Sequence, residues 1–260
     1  MRAVILSAGQ GRRLLPLTAE RPKCALEIEG KTVVEWQVDH LLQCGVERVT
    51  VVVGYGAERV EELLHARYRA GPVQTLYNPF FAVSDNLGTC WVAREEMAGD
   101  FVLLNGDTLF EPEVVRQLLA SPARPITLTS DRKERYDADD MKIRARGQRL
   151  LRVGKDLPPD QVTGESIGMI LFRGEGPALF REAVEKAMRQ QVALKRWYLS
   201  VIDRLAATGA VGICCIEGLD WAEIDCPEDL EQAREMIRGW IRRSPADAGD
   251  PPTWACAARL

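Results

Sequence analysis

The 260-residue chain is 46% hydrophobic and 28% charged, the balance of a folded globular protein long enough to bury a sizeable core. Its formal net charge of −4 argues against nucleic acid or an acidic membrane as a partner, since long-range attraction to phosphate polymers needs the opposite sign. Seven cysteines, an odd count with no C-x-x-C spacing, argue against a disulfide framework or a zinc site, and two histidines are too few for a histidine-rich metal centre. A reducing cytoplasm is the expected compartment. The apolar run after Arg2 meets Gly-Gln-Gly-Arg-Arg before it reaches signal-peptide length, and no run approaches the ~20 residues that span a bilayer, so no integral membrane contact is expected.

In chain order, Ala3–Ser7 reads as a compact apolar strand. Val33–Cys44 has helical spacing of apolar residues, with Gly45 where a helix stops. Val49–Val53, "VTVVV", is a second buried strand closed by Gly54. Ala57–Tyr68 follows as a helix, Val73–Tyr77 as a short strand and Leu87–Met97 as a third helix. Phe101–Asn105 is a strand that runs into "NGDT", and Pro112–Leu119 and Ile126–Ser130 add a helix and a strand. Strands alternating with helices predict a three-layer α/β/α, Rossmann-like fold with a mostly parallel mixed sheet covered on both faces. The rhythm then changes. "DMKIRARGQRLLRVGK" predicts a hairpin-type excursion around Arg146-Gly147, smaller than the main sheet. Ser166–Phe172 is a strand, Ala178–Arg189 and Ser200–Thr208 are helices, Val211–Glu217 is a strand, and Asp229–Arg242 is a closing helix. Residues 244–260, rich in Pro, Ala and Asp without periodicity, are expected to be a loose tail.

The loop after the first strand carries the first chemical signal. A dinucleotide fingerprint would place a third glycine where Leu14 stands, and an acid after the second strand where Gly54 stands, so a dehydrogenase is disfavoured. A P-loop would need Gly-Lys-Ser/Thr, which is missing. A loop whose backbone N–H groups wrap a triphosphate from Ser7 to Gly11 fits better, because glycine lets the backbone approach closely. Arg13 and Lys23 would then add fixed positive charge where phosphate charge builds up.

"SAGQGRRLLPLT" followed by "RPKCAL" resembles the G-x-G-x-R-[LM]-x-P-x-T…P-K signature of the sugar-phosphate nucleotidyltransferases. Later segments look closest to the bacterial phosphocholine cytidylyltransferase-like branch. The resemblance covers roughly residues 1–240, and is strong around the nucleotide and weak over 110–210. It implies a single catalytic domain over 1–243, with 1–110 mainly binding nucleotide and 111–220 mainly binding the acceptor. It implies nucleotide contacts at Leu6, Ser7, Ala8, Gly9, Gln10 and Gly11, with Arg13 and Lys23 as the catalytic cations. "SDNLGT" resembles the segment that reads a pyrimidine, which brings in Asn86, Gly88 and Thr89, with Gly54 flanking the same pocket. Asn86 or Asp85 also reads as a helix cap.

The resemblance makes Asp107 a ligand for Mg²⁺, and matches Asp225 in "WAEIDCPED" to the second ligand. Glu223 is the other candidate in that run, left open by strand alternation, which puts it on the same face as Asp225. Pro227-Glu228-Asp229 can cap the last helix, which would leave Asp225 free. Acceptor contacts are expected from Asp140, Lys155, Glu165, Gly168 and Asp203. Lys142 would border the pocket, and Trp91, Trp197, Tyr198 and Trp221 are aromatic wall candidates. The implied reaction joins the monophosphate of a nucleoside triphosphate, CTP by this resemblance, to a small phosphorylated alcohol such as phosphocholine or phosphoethanolamine. A sugar 1-phosphate acceptor, a nucleotide sensor without turnover and a homodimer stay open.

Overall fold

The structure is a computed structural model that describes residues 1–69 and 71–243; the tail expected over 244–260 lies outside the described residues. Apolar runs flanked by polar turns set the first elements. These are β1 (Arg2–Ser7), a short pair β2 (Glu27–Ile28) and β3 (Lys31–Thr32), α1 (Val33–Gln43), β4 (Arg48–Val53), α2 (Ala57–Tyr68) and β5 (Val73–Tyr77). Next come α3 (Asn86–Val92), β6 (Phe101–Asn105), β7 (Thr108–Phe110), α4 (Pro112–Leu119) and β8 (Ile126–Asp131). The second half holds β9 (Lys142–Arg146), β10 (Arg149–Gly154), β11 (Gly164–Phe172), α5 (Gly176–Met188), α6 (Leu199–Ala207), β12 (Val211–Cys215), β13 (Trp221–Glu223) and α7 (Pro227–Arg243). The start of α1 is fixed by a capping box. The Thr32 hydroxyl accepts from Glu35 N, and the Glu35 carboxylate accepts from Thr32 N at 2.7 Å.

Nine strands form one sheet in the order β5-β4-β1-β6-β11-β8-β12-β10-β9. The β5-β4-β1-β6 block and the β8-β12 pair are parallel. The remaining pairings are antiparallel, so the parallel character is confined to those two blocks. The reason lies in the connections. For β8–β11, β9–β10 and β9–β11 no α-helix separates the strands, and without a crossover the chain returns antiparallel. The β9–β10 hairpin turns where the sequence predicts it, and β9 also pairs with the start of β11, which links the last strand of the order back to an interior one.

Strand alternation partitions the core into layers. Ala3 and Ile5 of β1 pack with Val34, Val38 and Leu41 of α1 and with Val60 and Leu64 of α2. Val4 and Leu6 face the other way, with Leu87 of α3, Phe180 of α5 and Ile202 of α6. Burying each such side chain contributes about 1.5–3 kcal/mol relative to exposure. A third cluster, with Leu14, Trp36, Ile224, Ile237 and Trp240, clamps α7 over the first loop. The third helix is shorter than its pattern predicts. Beyond Val92 the chain tightens into i→i−3 bonds, Glu96 N to Ala93 O and Met97 N to Arg94 O, which keep Met97 buried. Among the described residues no helix is long and apolar enough to cross a membrane.

Candidate active site

The carboxyl-terminal ends of β1 and β6 open onto a cleft of about 880 Å³, the edge where ligands collect on sheets of this kind. The first loop leaves β1 at Ser7 and turns at Gly11, whose φ of +76° places it in the left-handed region. A Cβ at Gly11 would lie 2.8 Å from Lys23 Cβ, so the loop and the Lys23 stem are in direct contact. Thr18 pins the turn by donating its hydroxyl to Gly11 O at 2.8 Å. Leu6, Ser7, Ala8, Gly9, Gly11, Arg13 and Lys23 all line the cleft. Gln10 does not; its amide turns back toward Thr18 O at 3.5 Å.

Facing the loop is a cluster of carboxylates. Asp107, Glu223 and Asp225 each offer an oxygen within 4.8 Å of the others. Two short strands that sequence periodicity missed bring them together. β7 pairs antiparallel with β13, Glu223 opposite Thr108, and Ile224 N donates to Asp107 O at 3.0 Å. Runs of three residues are too short to show a period. Asp229 accepts from both Asp225 N and Cys226 N at 2.8 Å, which starts α7 and leaves the Asp225 side chain for the cleft. Lys23 Nζ donates to Asp107 Oδ2 at 2.7 Å and to Asp225 Oδ1 at 2.8 Å. Arg13 Nη2 lies 2.8 Å from the other Asp225 oxygen. Burial opposes the Lys23 charge, but Asp107 and Asp225 outweigh it and hold its pKa above the usual lysine range. Glu223 is pushed upward by burial, then by the charges of Asp107 and Asp225, although its side chain still meets solvent in the cleft. Asp107 Oδ1 and Ser7 Oγ are buried with no hydrogen-bond partner. An orphaned carboxylate oxygen among hard oxygen donors fits a divalent cation.

At one end of the cleft stand Phe81, Ser84, Asp85, Asn86 and Thr89. Asn86 Oδ1 accepts from Tyr198 N at 2.8 Å, and Asn78 Nδ2 donates to Thr89 Oγ1 at 3.1 Å, so both side chains are held in place. Neither Asn86 nor Asp85 caps α3 through its side chain. Gly54 and Gly88 stand behind this wall rather than in it. A Cβ at Gly54 would lie 2.5 Å from Phe81 Cβ, and one at Gly88 would lie 2.7 Å from Ser84 Cβ, so both permit packing.

At the other end Asp140, Lys155 and Glu165 line the cleft, joined by Asp131, Lys133, Asp137, Asp139, Trp197 and Trp221. Lys133 Nζ bridges Asp140 Oδ1 at 2.8 Å and Glu165 Oε2 at 3.0 Å. Burial pushes the Glu165 carboxyl up to about 7, with Lys133 opposing. Asp139 links Lys155 Nζ at 3.1 Å to Arg13 Nη1 at 3.2 Å, and those cations hold its carboxyl below the usual range. The signal for this wall is the charge-dense "SDRKERYDADDMK" directly after a strand end.

Two acceptor expectations are corrected. Gly168 sits at an irregularity in β11 with φ +75°, where a Cβ would lie 2.3 Å from Asn105 Nδ2; it serves strand packing. Asp203 faces away from the cleft and accepts from Arg152 Nε at 2.9 Å and Val153 N at 2.8 Å, stapling α6 to β10. Lys142 is buried and donates to Lys155 O at 3.1 Å. Of the aromatic candidates, Tyr198 is fully buried and Trp91 lies under the Arg94 guanidinium, 4.3 Å from it.

Residues 3–211 match the MobA-like NTP transferase domain. The CMP-5'-(3-aminopropyl)phosphonate synthase of Streptomyces rubellomurinus is 32% identical over 245 residues, covering 90% of this chain and 38% of that protein. The bifunctional IPC transferase and DIPP synthase of Rubrobacter xylanophilus is 31% identical over 241 residues, covering 92% of this chain and 52% of that protein. The chain thus spans about half, or less, of the length of these curated relatives. The structure of the inositol-1-phosphate CTP transferase from T. maritima has the same fold, with a TM-score of 0.77 at 21% identity over 91% of this chain and 94% of that one.

Proposed function

The chain belongs to the MobA-like NTP transferase family, and from that premise we propose that it is a Mg²⁺-dependent cytidylyltransferase. Its acceptor is a small molecule with a phosphate or phosphonate at one end and a protonated amine at the other. The observation that carries this reading is the opposition of Arg13 and Lys23 to Asp107, Glu223 and Asp225 across one glycine turn. CTP is favoured by the match, over 90% of this chain and 38% of the relative, to a protein named for a CMP-linked product. The ionic end of the cleft supports the amine: Asp131, Asp140 and Glu165 outnumber the Lys133 that bridges the last two, the Trp221 ring lines the same wall, and the Trp197 ring already faces one ammonium, Lys155 Nζ at 4.6 Å.

In the reaction an acceptor phosphate oxygen attacks the α-phosphorus. The new P–O bond forms as the bond to the β-phosphate oxygen breaks, and pyrophosphate leaves with that electron pair. A phosphate monoester has its second pKa near ~6, so the nucleophile is already ionised at neutral pH and needs no general base. That suits a cleft lined by no histidine. Asp107 and Asp225, with Glu223 beside them, would hold Mg²⁺, which supplies charge neutralisation at the phosphates. The backbone of Ser7–Gly11 wraps the triphosphate, and Arg13 and Lys23 stabilise charge that grows on the departing group. Lys155 orients the acceptor phosphate. Alignment and fixed charge do the work.

The test is pyrophosphate release with Mg²⁺, pairing CTP, UTP, dTTP, GTP and ATP with phosphocholine, phosphoethanolamine, aminoalkylphosphonates, inositol phosphate and hexose 1-phosphates. Turnover with CTP and an amine-bearing acceptor is expected. Turnover confined to a hexose 1-phosphate would overturn the acceptor, and turnover confined to another nucleotide would overturn the base.

A further inference from the structure

Lys23 stands where a cation held by Asp107 and Asp225 would stand. Its ammonium is 2.7 Å from one aspartate and 2.8 Å from the other, inside a carboxylate cluster no wider than 4.8 Å. An ammonium with three donors offsets there part of the negative charge that a hard divalent ion would neutralise. Arg13 covers the second oxygen of Asp225 at 2.8 Å, so two protein cations already oppose three carboxylates. The Lys23 stem, however, belongs to the other side of the cleft. It lies against the phosphate-wrapping loop, where a Cβ on Gly11 would come within 2.8 Å of Lys23 Cβ. Gly9, in the same loop, faces open space, with nothing within 4 Å of a notional Cβ. The Lys23 side chain thus runs from the loop to the carboxylates and touches both sides of the cleft.

We propose that Lys23 is a two-position cation that makes metal binding conditional on nucleotide. In the empty cleft it fills the carboxylate cluster and excludes divalent ions. A triphosphate against Ser7–Gly11 draws the ammonium to itself and releases Asp107 and Asp225, so the metal binds tightly only with nucleotide. This rests on the reading of the cluster as the metal site. Because coupling is reciprocal, the metal raises nucleotide affinity by the same factor. Such an arrangement keeps an acidic cluster from being permanently metallated and assembles the reactive charge only around substrate.

The test is Mn²⁺ binding without nucleotide, read from the free-ion signal in electron paramagnetic resonance. Wild-type protein should bind Mn²⁺ weakly at this site, and Lys23→Met at least tenfold more tightly, because a like charge a few ångströms away has gone. Lys155→Met removes the same charge elsewhere in the cleft and should stay within about twofold of wild type. Lys23→Gln should reproduce the gain, and a melting curve for each variant establishes that it is folded. Equal Mn²⁺ affinity in wild type and both Lys23 variants would overturn the proposal, as would an equal gain from Lys155→Met. Adding Asp107→Asn to Lys23→Met should abolish the gain. A gain that survives Asp107→Asn would instead place the ion elsewhere and overturn the metal-site reading itself.

Discussion

The two ends of the cleft are built on different principles. The end proposed for the nucleotide is backbone: a strand end, a turn at Gly11, and glycines such as Gly54 whose missing Cβ lets Phe81 of the wall pack closely against it. The end proposed for the acceptor is side chain: Lys133, Asp139 and Asp140, on a charged segment after β8, tie Glu165 of β11, Lys155 after β10 and Arg13 of the first loop into ion pairs. Backbone geometry tolerates few substitutions and suits a triphosphate common to many reactions. Ion pairs in a loop can be redrawn without disturbing the sheet, which suits the part that selects the acceptor. The carboxylate cluster lies between them and is held by the β7–β13 ribbon, a link between distant stretches of chain.

The comparison breaks most severely at its centre. Lys23→Ala and Asp107→Asn should each lower kcat in pyrophosphate release by roughly 10²–10³, Lys23 through the loss of a fixed positive charge beside a developing anion and Asp107 through the loss of a ligand for Mg²⁺. Near-normal turnover in either would remove that residue from the mechanism. Gln37 tests whether the cluster needs its scaffold. Its buried amide donates to Asn105 O and Thr108 O, both at 2.8 Å, and so grips the segment that carries Asp107. Gln37→Leu leaves two carbonyls without a donor, at about 1–3 kcal/mol each. A lower melting temperature and about tenfold weaker Mn²⁺ binding in the presence of CTP should follow. A lowered melting temperature with unchanged Mn²⁺ binding would show that β7 positions Asp107 unaided.

The same contrast explains what the sequence disclosed. The α/β alternation and the glycine–arginine–lysine loop were legible because local geometry fixes them: an apolar period, a turn that needs positive φ, a cation at fixed spacing. Asp225 was legible because Asp229 supplies the helix start. Glu223 was undecided because its pairing depends on β7, far away in the chain and too short to show a period. Asp203 and Gly168 were misplaced because an acid on a helix and a glycine in a strand look alike whether they face a cleft or a neighbouring element. Asp131, Lys133 and Asp139 were missed because a run of charges reads as solvated surface until a fold wraps it round a cavity.

Glu165 sharpens the acceptor side through pH. Its side chain is buried and its carboxyl is pushed up to about 7 in the folded protein, against an ordinary value near 4.5. Between those limits the folded state binds the proton more tightly than the unfolded one, so this group's contribution to stability is full at low pH and is lost as pH rises toward 7. Glu165→Gln removes that dependence. The stability difference between variant and wild type should therefore shift in favour of the variant from about pH 4.5 to 7, by on the order of 1–3 kcal/mol, and then level off. Function should move the other way. An amine-bearing acceptor needs the ionised carboxylate, so the ratio of wild-type to variant KM for the acceptor should fall as pH rises through 7, the acceptor's own titration being common to both. A KM profile identical in the two would take Glu165 out of acceptor binding.

Asp203 marks the outer limit of the acceptor end and gives the smallest effect. Its carboxylate holds Val153 N, in a buried residue of β10, and meets the half-exposed Arg152 guanidinium. The ion pair is solvent-screened and contributes little, whereas the orphaned amide costs about 1–2 kcal/mol. Asp203→Ala should lower the melting temperature by a few degrees and leave the acceptor kcat/KM within about twofold of wild type. If the staple between α6 and β10 is all that Asp203 provides, Asp203→Asn, which can still accept from Val153 N, should recover most of that stability. A drop in acceptor kcat/KM that Asn fails to restore would mean that the carboxylate charge reaches the cleft, and that the acceptor end extends beyond the hairpin after all.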